Sequence, residues 1–417
     1  MGGLRRLALA LLGLWFGAAG PARSQSEEAA RRLVRELIPQ VERAVGLTFK
    51  RAPVVAVRTR EQLRRYLERK VATDIPAADL AGSERAYKAF GLIPDTLDLR
   101  RMMLDVLEEQ VAGFYDPDSQ RLFLIRGGDP SMLRLVAGHE LVHALQDQYF
   151  PLSPVLKMRR SNDRQTAAQA VMEGQATLAM FLMRPGADLE QLSELWPRIR
   201  QLSANVGAGS VPGGSPAAMA SFARAPRILR DALIFPYIYG AEFMINYERR
   251  RARAGEMPYG DALPVSTEQI LHPSAYTGGQ HPVRLLIGAP AAGDTAVYED
   301  DFGEFEMRIA LETWGIGAAE ATAAASGWHG DRYRVLGTRT GTALIWVSAW
   351  DTPDDAAEFE AQLRRGWESW SRRRAASGRR YTIERITVGG VPVVRLVDAP
   401  ERWNGWNRLP VVRVMSR

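Results

Sequence analysis

The pattern of apolar positions divides the chain into a mainly helical first part and a mixed last part. From Leu33 to Val45 apolar residues recur every four positions, which predicts an amphipathic helix over 27–45. The same reasoning predicts further helices over 61–71, 99–111, 130–149, 164–183, 189–204 and 228–250, and a strand over 53–58. Residues 207–216, rich in Gly, Ser and Pro, are predicted to form a loop.

Two shorter patterns add a hairpin and a capped helix. Apolar runs flank the turn sequence DPDS at 116–119, which is typical of a β-hairpin over 113–126. The sequence STEQ at 266–269 is a capping-box pattern, and it predicts a short helix that ends before Pro273.

The composition changes around 288–294, where Gly, Ala and Pro accumulate, and this predicts a domain boundary. Beyond it, helices and strands alternate: helices over 302–314, 318–326 and 354–370, and strands over 333–338, 343–350, 381–388 and 391–397. The predicted fold class is therefore α+β, with a larger domain over 25–290 and a smaller α+β domain over 291–417.

The first 24 residues have the features of a secretory signal peptide. Arg5 and Arg6 precede an apolar stretch over 7–20, and small residues follow at 22 and 24. Fourteen apolar residues are too few to cross a bilayer comfortably, although an uncleaved anchor is the alternative interpretation. No later segment is long and apolar enough to span a membrane. The sequence thus predicts a secreted or periplasmic (cell-envelope) protein with no membrane span after signal removal.

The composition narrows the possible chemistry. The 417 residues include no Cys, which excludes disulfides, thiolate metal sites and a Cys nucleophile. The net charge of +6 comes from 54 Lys and Arg against 48 Asp and Glu, and no basic run is interleaved with aromatic residues. We therefore expect no nucleic-acid partner, and any metal site must use His, Asp or Glu. The composition indicates no oligomeric state.

The strongest chemical signal is the HExxH motif formed by His139, Glu140 and His143. Residues four apart share one face of a helix, so both imidazoles can bind one metal ion. Glu140 lies one step round the helix, where its carboxylate can accept a proton from metal-bound water. Two of only five His residues occur at this spacing. The alternative is a pair of histidines with no ligand role.

A catalytic zinc ion usually has three protein ligands, and the best third ligand is Glu173. It is the only charged residue over 165–183, and its immediate neighbours are mainly apolar. A buried carboxylate needs a cationic partner. Zn²⁺ is that partner in the functional interpretation, whereas an Arg or solvent would serve in the structural one. Asp163, near the predicted helix start, is explained by capping.

These residues resemble the gluzincin group of zinc metallopeptidases, which combine HExxH on one helix with a Glu from a following helix. The strings GFYDPDSQRLFL, HELVHALQDQYF, AVMEGQAT and STEQILHPSAY also resemble a little-characterised family of exported bacterial and archaeal proteins, from about residue 101 to near residue 350. The resemblance implies a zincin-like metallopeptidase domain with active-site helices over about 130–183. It also implies zinc bound by His139, His143 and Glu173, with Glu140 as general base. The hairpin would then supply the strand that binds substrate.

Two features depart from better-known gluzincins. The gap from His143 to Glu173 is 30 residues, longer than in many of them. Thr177 stands where some families have an Asp that bonds a ligand His. Asp147 either takes over that role or is a solvated acid at the helix end.

Peptide hydrolysis also needs a group that stabilises the oxyanion of the tetrahedral intermediate. Our candidate for this group is His272, which ends the short capped helix. The alternative is that His272 has a packing or capping role instead. Tyr276, Tyr237 and Tyr239 are the other candidates.

The sequence thus predicts an exported zinc metallopeptidase, more consistent with an endopeptidase, whose partner is a peptide or protein substrate. One alternative is a non-catalytic cell-envelope protein that keeps the zincin fold and metal site. Another is an amidase that acts on cell-wall peptides through the same centre.

Overall fold

The computed structural model describes residues 12–14, 26–127, 130–207, 220–251, 256–373 and 378–415. Helices and strands both contribute large parts of the architecture, which agrees with the predicted α+β class. The predicted loop after residue 207 and the predicted signal peptide, apart from residues 12–14, lie outside the described residues.

The first part of the chain contains four helices and a small sheet. The helices are α1 (Glu27–Val45), α2 (Arg60–Asp74), α3 (Ala77–Phe90) and α4 (Leu99–Gln110). The strands are β1 (Leu12–Leu14), β2 (Val54–Arg58), β3 (Val111–Asp116) and β4 (Arg121–Ile125), in the order β1-β3-β4-β2. The β2 strand is parallel to β4 and the other neighbours are antiparallel, so the predicted hairpin is present as β3–β4.

The middle of the chain is helical, and one helix forms its centre. Its helices are α5 (Pro130–Tyr149), α6 (Ser153–Leu156), α7 (Asn162–Leu182), α8 (Leu189–Gly207), α9 (Ala220–Arg224), α10 (Arg227–Arg250), α11 (Thr267–Leu271) and α12 (Pro273–Thr277). Almost every residue of α7 is buried, so this helix is enclosed on all sides. Polar groups on α7 therefore lie inside the protein and need partners there.

The α7 and α10 helices approach each other closely because each has a glycine at the contact, Gly174 on α7 and Gly240 on α10. A Cβ atom added to Gly174 would lie 2.1 Å from the carbonyl carbon of Gly240. One added to Gly240 would lie 1.9 Å from the backbone oxygen of Ala170. Backbone atoms cannot rotate away as a side chain can, so neither position has room for a methyl group.

We expect Gly240→Ala to lower the free energy of unfolding by about 1–3 kcal/mol, because the added methyl group forces the two helices apart. Urea unfolding measures the effect. Gly317→Ala is the control, since Gly317 has an ordinary φ of −62° and its nearest Cβ contact is a flexible carboxylate at 3.5 Å. Equal stability of the two variants would contradict the close approach.

The last part of the chain contains the strands β5 (Arg284–Ile287), β6 (Thr295–Asp300), β7 (Trp328–Thr338), β8 (Gly341–Trp350), β9 (Arg379–Val388), β10 (Val391–Pro400) and β11 (Val412–Met415). Five of them form an antiparallel sheet with the order β6-β7-β8-β10-β9, and β5 and β11 pair separately. The helices are α13 (Gly303–Thr313), α14 (Ala318–Ala325) and α15 (Pro353–Arg373). All predicted elements of this part are present, whereas β5, β6 and β11 were not predicted.

The hydrophobic core continues across the predicted boundary near residue 290. Phe90 of α3 has its ring 4.7 Å from that of Phe302 and 5.6 Å from that of Trp346. The boundary therefore lies between the first sheet and the five-stranded sheet, but the core and the β5–β11 pair both span it. Among the described helices, none is both long enough and apolar enough to cross a membrane.

Candidate metal centre

Two buried helices bring the three predicted metal ligands together. His139 and His143 lie on one face of α5, with ring centroids 4.7 Å apart, and Glu173 comes from α7. The Glu173 Oε2 atom lies 2.9 Å from His139 Nε2 and 3.5 Å from His143 Nε2. Within the described residues, these three side chains form the group whose possible ligand atoms lie close enough together to hold one metal ion.

The donor set fits a zinc ion. Ligand atoms about 2.0–2.1 Å from a tetrahedral zinc ion lie roughly 3.3 Å from one another, close to the two separations above. His143 Nε2 is also buried without a hydrogen-bond partner in the part of the chain that the structure describes. A buried ring nitrogen that faces a carboxylate oxygen is stabilised by a proton or a metal ion between the two atoms, so the site can accept a cation.

The charges of the cluster favour metal binding. Burial opposes the charge of Glu173, but the imidazoles of His143 and His139 outweigh it and lower the pKa of Glu173 to about 2. Burial lowers the pKa of His139. Both directions favour the protonation states that bind a metal ion, an anionic Glu173 carboxylate and a neutral His139 imidazole.

The carboxylate of Glu140 lies beside the three predicted ligands. The residue is fully buried, and in the described parts of the chain no hydrogen bond of normal geometry reaches either carboxylate oxygen. Burial raises the pKa of Glu140 well above its ordinary value, and the charge of Glu173 raises it further. The more distant backbone N–H of Tyr115 on β3 has the opposite effect. Glu140 therefore lies between the ligand cluster and β3, where burial favours its protonated form.

Asp147 does not bond a histidine of the cluster. Its Oδ2 accepts a hydrogen bond from Tyr115 Oη at 2.9 Å, and its Oδ1 accepts one from the backbone N–H of Leu152. The residue that contacts a ligand is Gln146, whose Oε1 lies 2.8 Å from His143 Nδ1. The sequence reasoning missed Gln146, although a polar residue three positions after His143 on a buried helix was an available signal.

His272, the predicted oxyanion stabiliser, contacts a glutamate on α13 and not the predicted metal ligands. It caps α11, and its Nε2 lies 2.8 Å from Glu304 Oε1 on α13, outside the group of convergent metal ligands. Tyr237 on α10 instead stacks on His139, with centroids 5.8 Å apart. Tyr239 stacks on Phe235, away from the ligands, and Tyr276 donates to the carbonyl of Ala262. Of the four candidates, Tyr237 is therefore the one that contacts a predicted metal ligand, His139. Its helix, α10, packs directly on α7, which carries the predicted ligand Glu173.

A protein-family comparison matches the last part of the chain. A family model described as a domain of unknown function (DUF8575) matches residues 291–402, which include the five-stranded sheet. No curated protein and no solved structure matches the chain. The matched residues exclude the metal centre, so its interpretation depends on geometry and chemistry.

Proposed function

We propose that this protein is an exported zinc-dependent peptidase with a zincin-like first domain of the gluzincin type. The proposal rests on one observation. His139, His143 and Glu173 are buried together, and beside them the carboxylate of Glu140 receives no hydrogen bond of normal geometry from the described residues. A structural metal site needs no adjacent base, whereas hydrolysis needs a group that accepts and returns a proton.

Each residue then has one task. A zinc ion bound by the three ligands would polarise the scissile carbonyl and lower the pKa of water. Glu140 accepts the proton of the attacking water and delivers it to the leaving amine. Tyr237 donates a hydrogen bond to the oxyanion of the tetrahedral intermediate, the role first predicted for His272.

The position of β3 supports an extended peptide substrate. The backbone of Leu12–Leu14 pairs antiparallel with β3, next to α5, so this sheet edge accepts an added strand. That segment belongs to the predicted signal peptide, and its removal would leave the edge open. Main-chain pairing along β3 would favour cleavage inside a chain, hence an endopeptidase.

The test is mass-spectrometric profiling of a diverse peptide mixture incubated with zinc-loaded residues 25–417. The Glu140→Gln variant of the same chain is treated in parallel. Cleavage by the parent alone supports the peptidase and gives its side-chain preference. Cleavage of wall peptides instead of the mixture would identify an amidase.

One observation favours a second function. His139, Glu140 and His143 are each 0% exposed, which limits access of substrate. A cell-envelope protein that holds zinc without turnover would have such an occluded centre. In that case zinc binds to residues 25–417, but neither the parent nor the Glu140→Gln chain cleaves any peptide.

We expect Tyr237→Phe to lower kcat about 10²-fold with little change in KM, because one oxyanion donor is lost. Steady-state kinetics on a peptide identified in the profiling measures this. Tyr239→Phe and His272→Gln are the controls, and both should retain parental kcat. A larger loss in His272→Gln than in Tyr237→Phe would restore the original assignment.

A further inference from the structure

A buried ring of polar groups surrounds the outer side of His143. Gln146, one turn further along α5, is 1% exposed, and its Oε1 lies 2.8 Å from His143 Nδ1. Its NH₂ group faces three oxygen atoms: the Met172 carbonyl at 3.0 Å, Gln175 Oε1 at 2.8 Å and Tyr259 Oη at 2.8 Å. The ring therefore connects α5, α7 and the segment before α11.

The chemistry of these partners fixes the orientation of each group. The Met172 carbonyl can only accept, so the NH₂ group of Gln146 must face it and Oε1 must face His143. Gln175 Nε2 donates to Met257 Sδ at 3.0 Å, which leaves Gln175 Oε1 to accept from Tyr259 Oη at 2.8 Å. A flip of either amide would set two donors or two acceptors against each other.

We infer that Gln146 is a positioning residue that holds His143 in the tautomer with the proton on Nδ1. Oε1 of Gln146 has no hydrogen, so the bond to His143 forms only when Nδ1 donates. The Nε2 lone pair of His143 then points at Glu173, ready for a cation. This inference rests on the metal site proposed above.

A neutral amide suits this position better than the carboxylate often found behind a ligand histidine. Glu140 and Glu173 already place two carboxylates in the buried centre. A third would face the Met172 carbonyl and Gln175 Oε1 without a proton to donate. The stack of Tyr259 on Phe150, with centroids 4.4 Å apart, closes the ring from outside.

Two measurements test the inference on the chain of residues 25–417. Two-bond ¹H–¹⁵N spectra of ¹⁵N-histidine-labelled, metal-free protein above neutral pH distinguish the tautomers of its five histidines. Single replacements of His272, His281 and His329 identify their signals by elimination. Competition with chelators gives the zinc affinity.

We expect Gln146→Met, which fills similar space without hydrogen bonds, to lose the Nδ1–H preference of His143 and bind zinc about 10–100-fold more weakly. Gln146→Glu keeps the acceptor and should keep the tautomer. Gln148→Met is the control, since Gln148 on the same helix bonds only the exposed segment at 50–51 in the described contacts.

A Gln146→Met chain with the parental tautomer and parental zinc affinity would overturn the role of Gln146. If Gln146→Met does not fold, loss of the tautomer in Gln146→Glu would overturn it instead. The spectra need no metal and no substrate, so they decide the role of Gln146 even if the parent binds no zinc and the proposed function fails.

Discussion

Glu140→Gln should lower peptide turnover about 10³-fold while zinc remains bound. An amide has nearly the shape of the carboxylate but cannot accept the proton of the attacking water, and general acid–base catalysis contributes about 10²–10⁴-fold. Within the described residues no hydrogen bond of normal geometry reaches the Glu140 carboxylate, so the change disturbs at most the more distant backbone N–H of Tyr115. Steady-state kinetics and the zinc content of the purified variant measure the two effects.

Glu268→Gln is the matched control for this substitution. Glu268 is also buried, but it lies on α11 outside the group of convergent metal ligands. Burial, together with the charge of the nearby Glu304, raises its pKa to about 8, so it is mostly protonated at neutral pH. An amide resembles that neutral acid, and turnover should stay at the parental level. Turnover of Glu140→Gln within tenfold of the parent would exclude Glu140 as the general base.

The sequence predicts most of the centre because its signals are local. The HExxH spacing places two imidazoles on one helix face wherever the helix lies, and α5 has the predicted bounds of residues 130–149. Glu173 could be inferred without knowing its contacts, since a single carboxylate in an apolar helix requires a cationic partner.

Features that depend on distant segments were missed. The α3 helix, which is rich in small residues, has a weak apolar stripe, and Phe90 is buried there by the last sheet rather than by its sequence neighbours. The spacing of Asp147 from His143 suggested a contact that its bond with Tyr115 replaces. The choice between Tyr237 and His272 depended on how α10 packs, which local patterns do not encode.

The centre itself is tested by Glu173→Gln, which we expect to weaken zinc binding about 10²-fold. Structural zinc sites provide about 10–16 kcal/mol through four ligands, or roughly 3 kcal/mol for each ligand, which corresponds to about that factor. The amide also removes the negative charge that the two buried imidazoles share in the metal-free chain. Chelator competition measures the change.

Asp163→Asn separates ligand loss from a general disturbance of α7. Asp163 lies at the start of the same buried helix, and burial raises its pKa to about 8. Its Oδ1 accepts hydrogen bonds from the backbone and hydroxyl of Thr267, which an Asn oxygen can also accept. This variant should bind zinc like the parent. Parental affinity in Glu173→Gln as well would mean that the carboxylate is not a ligand.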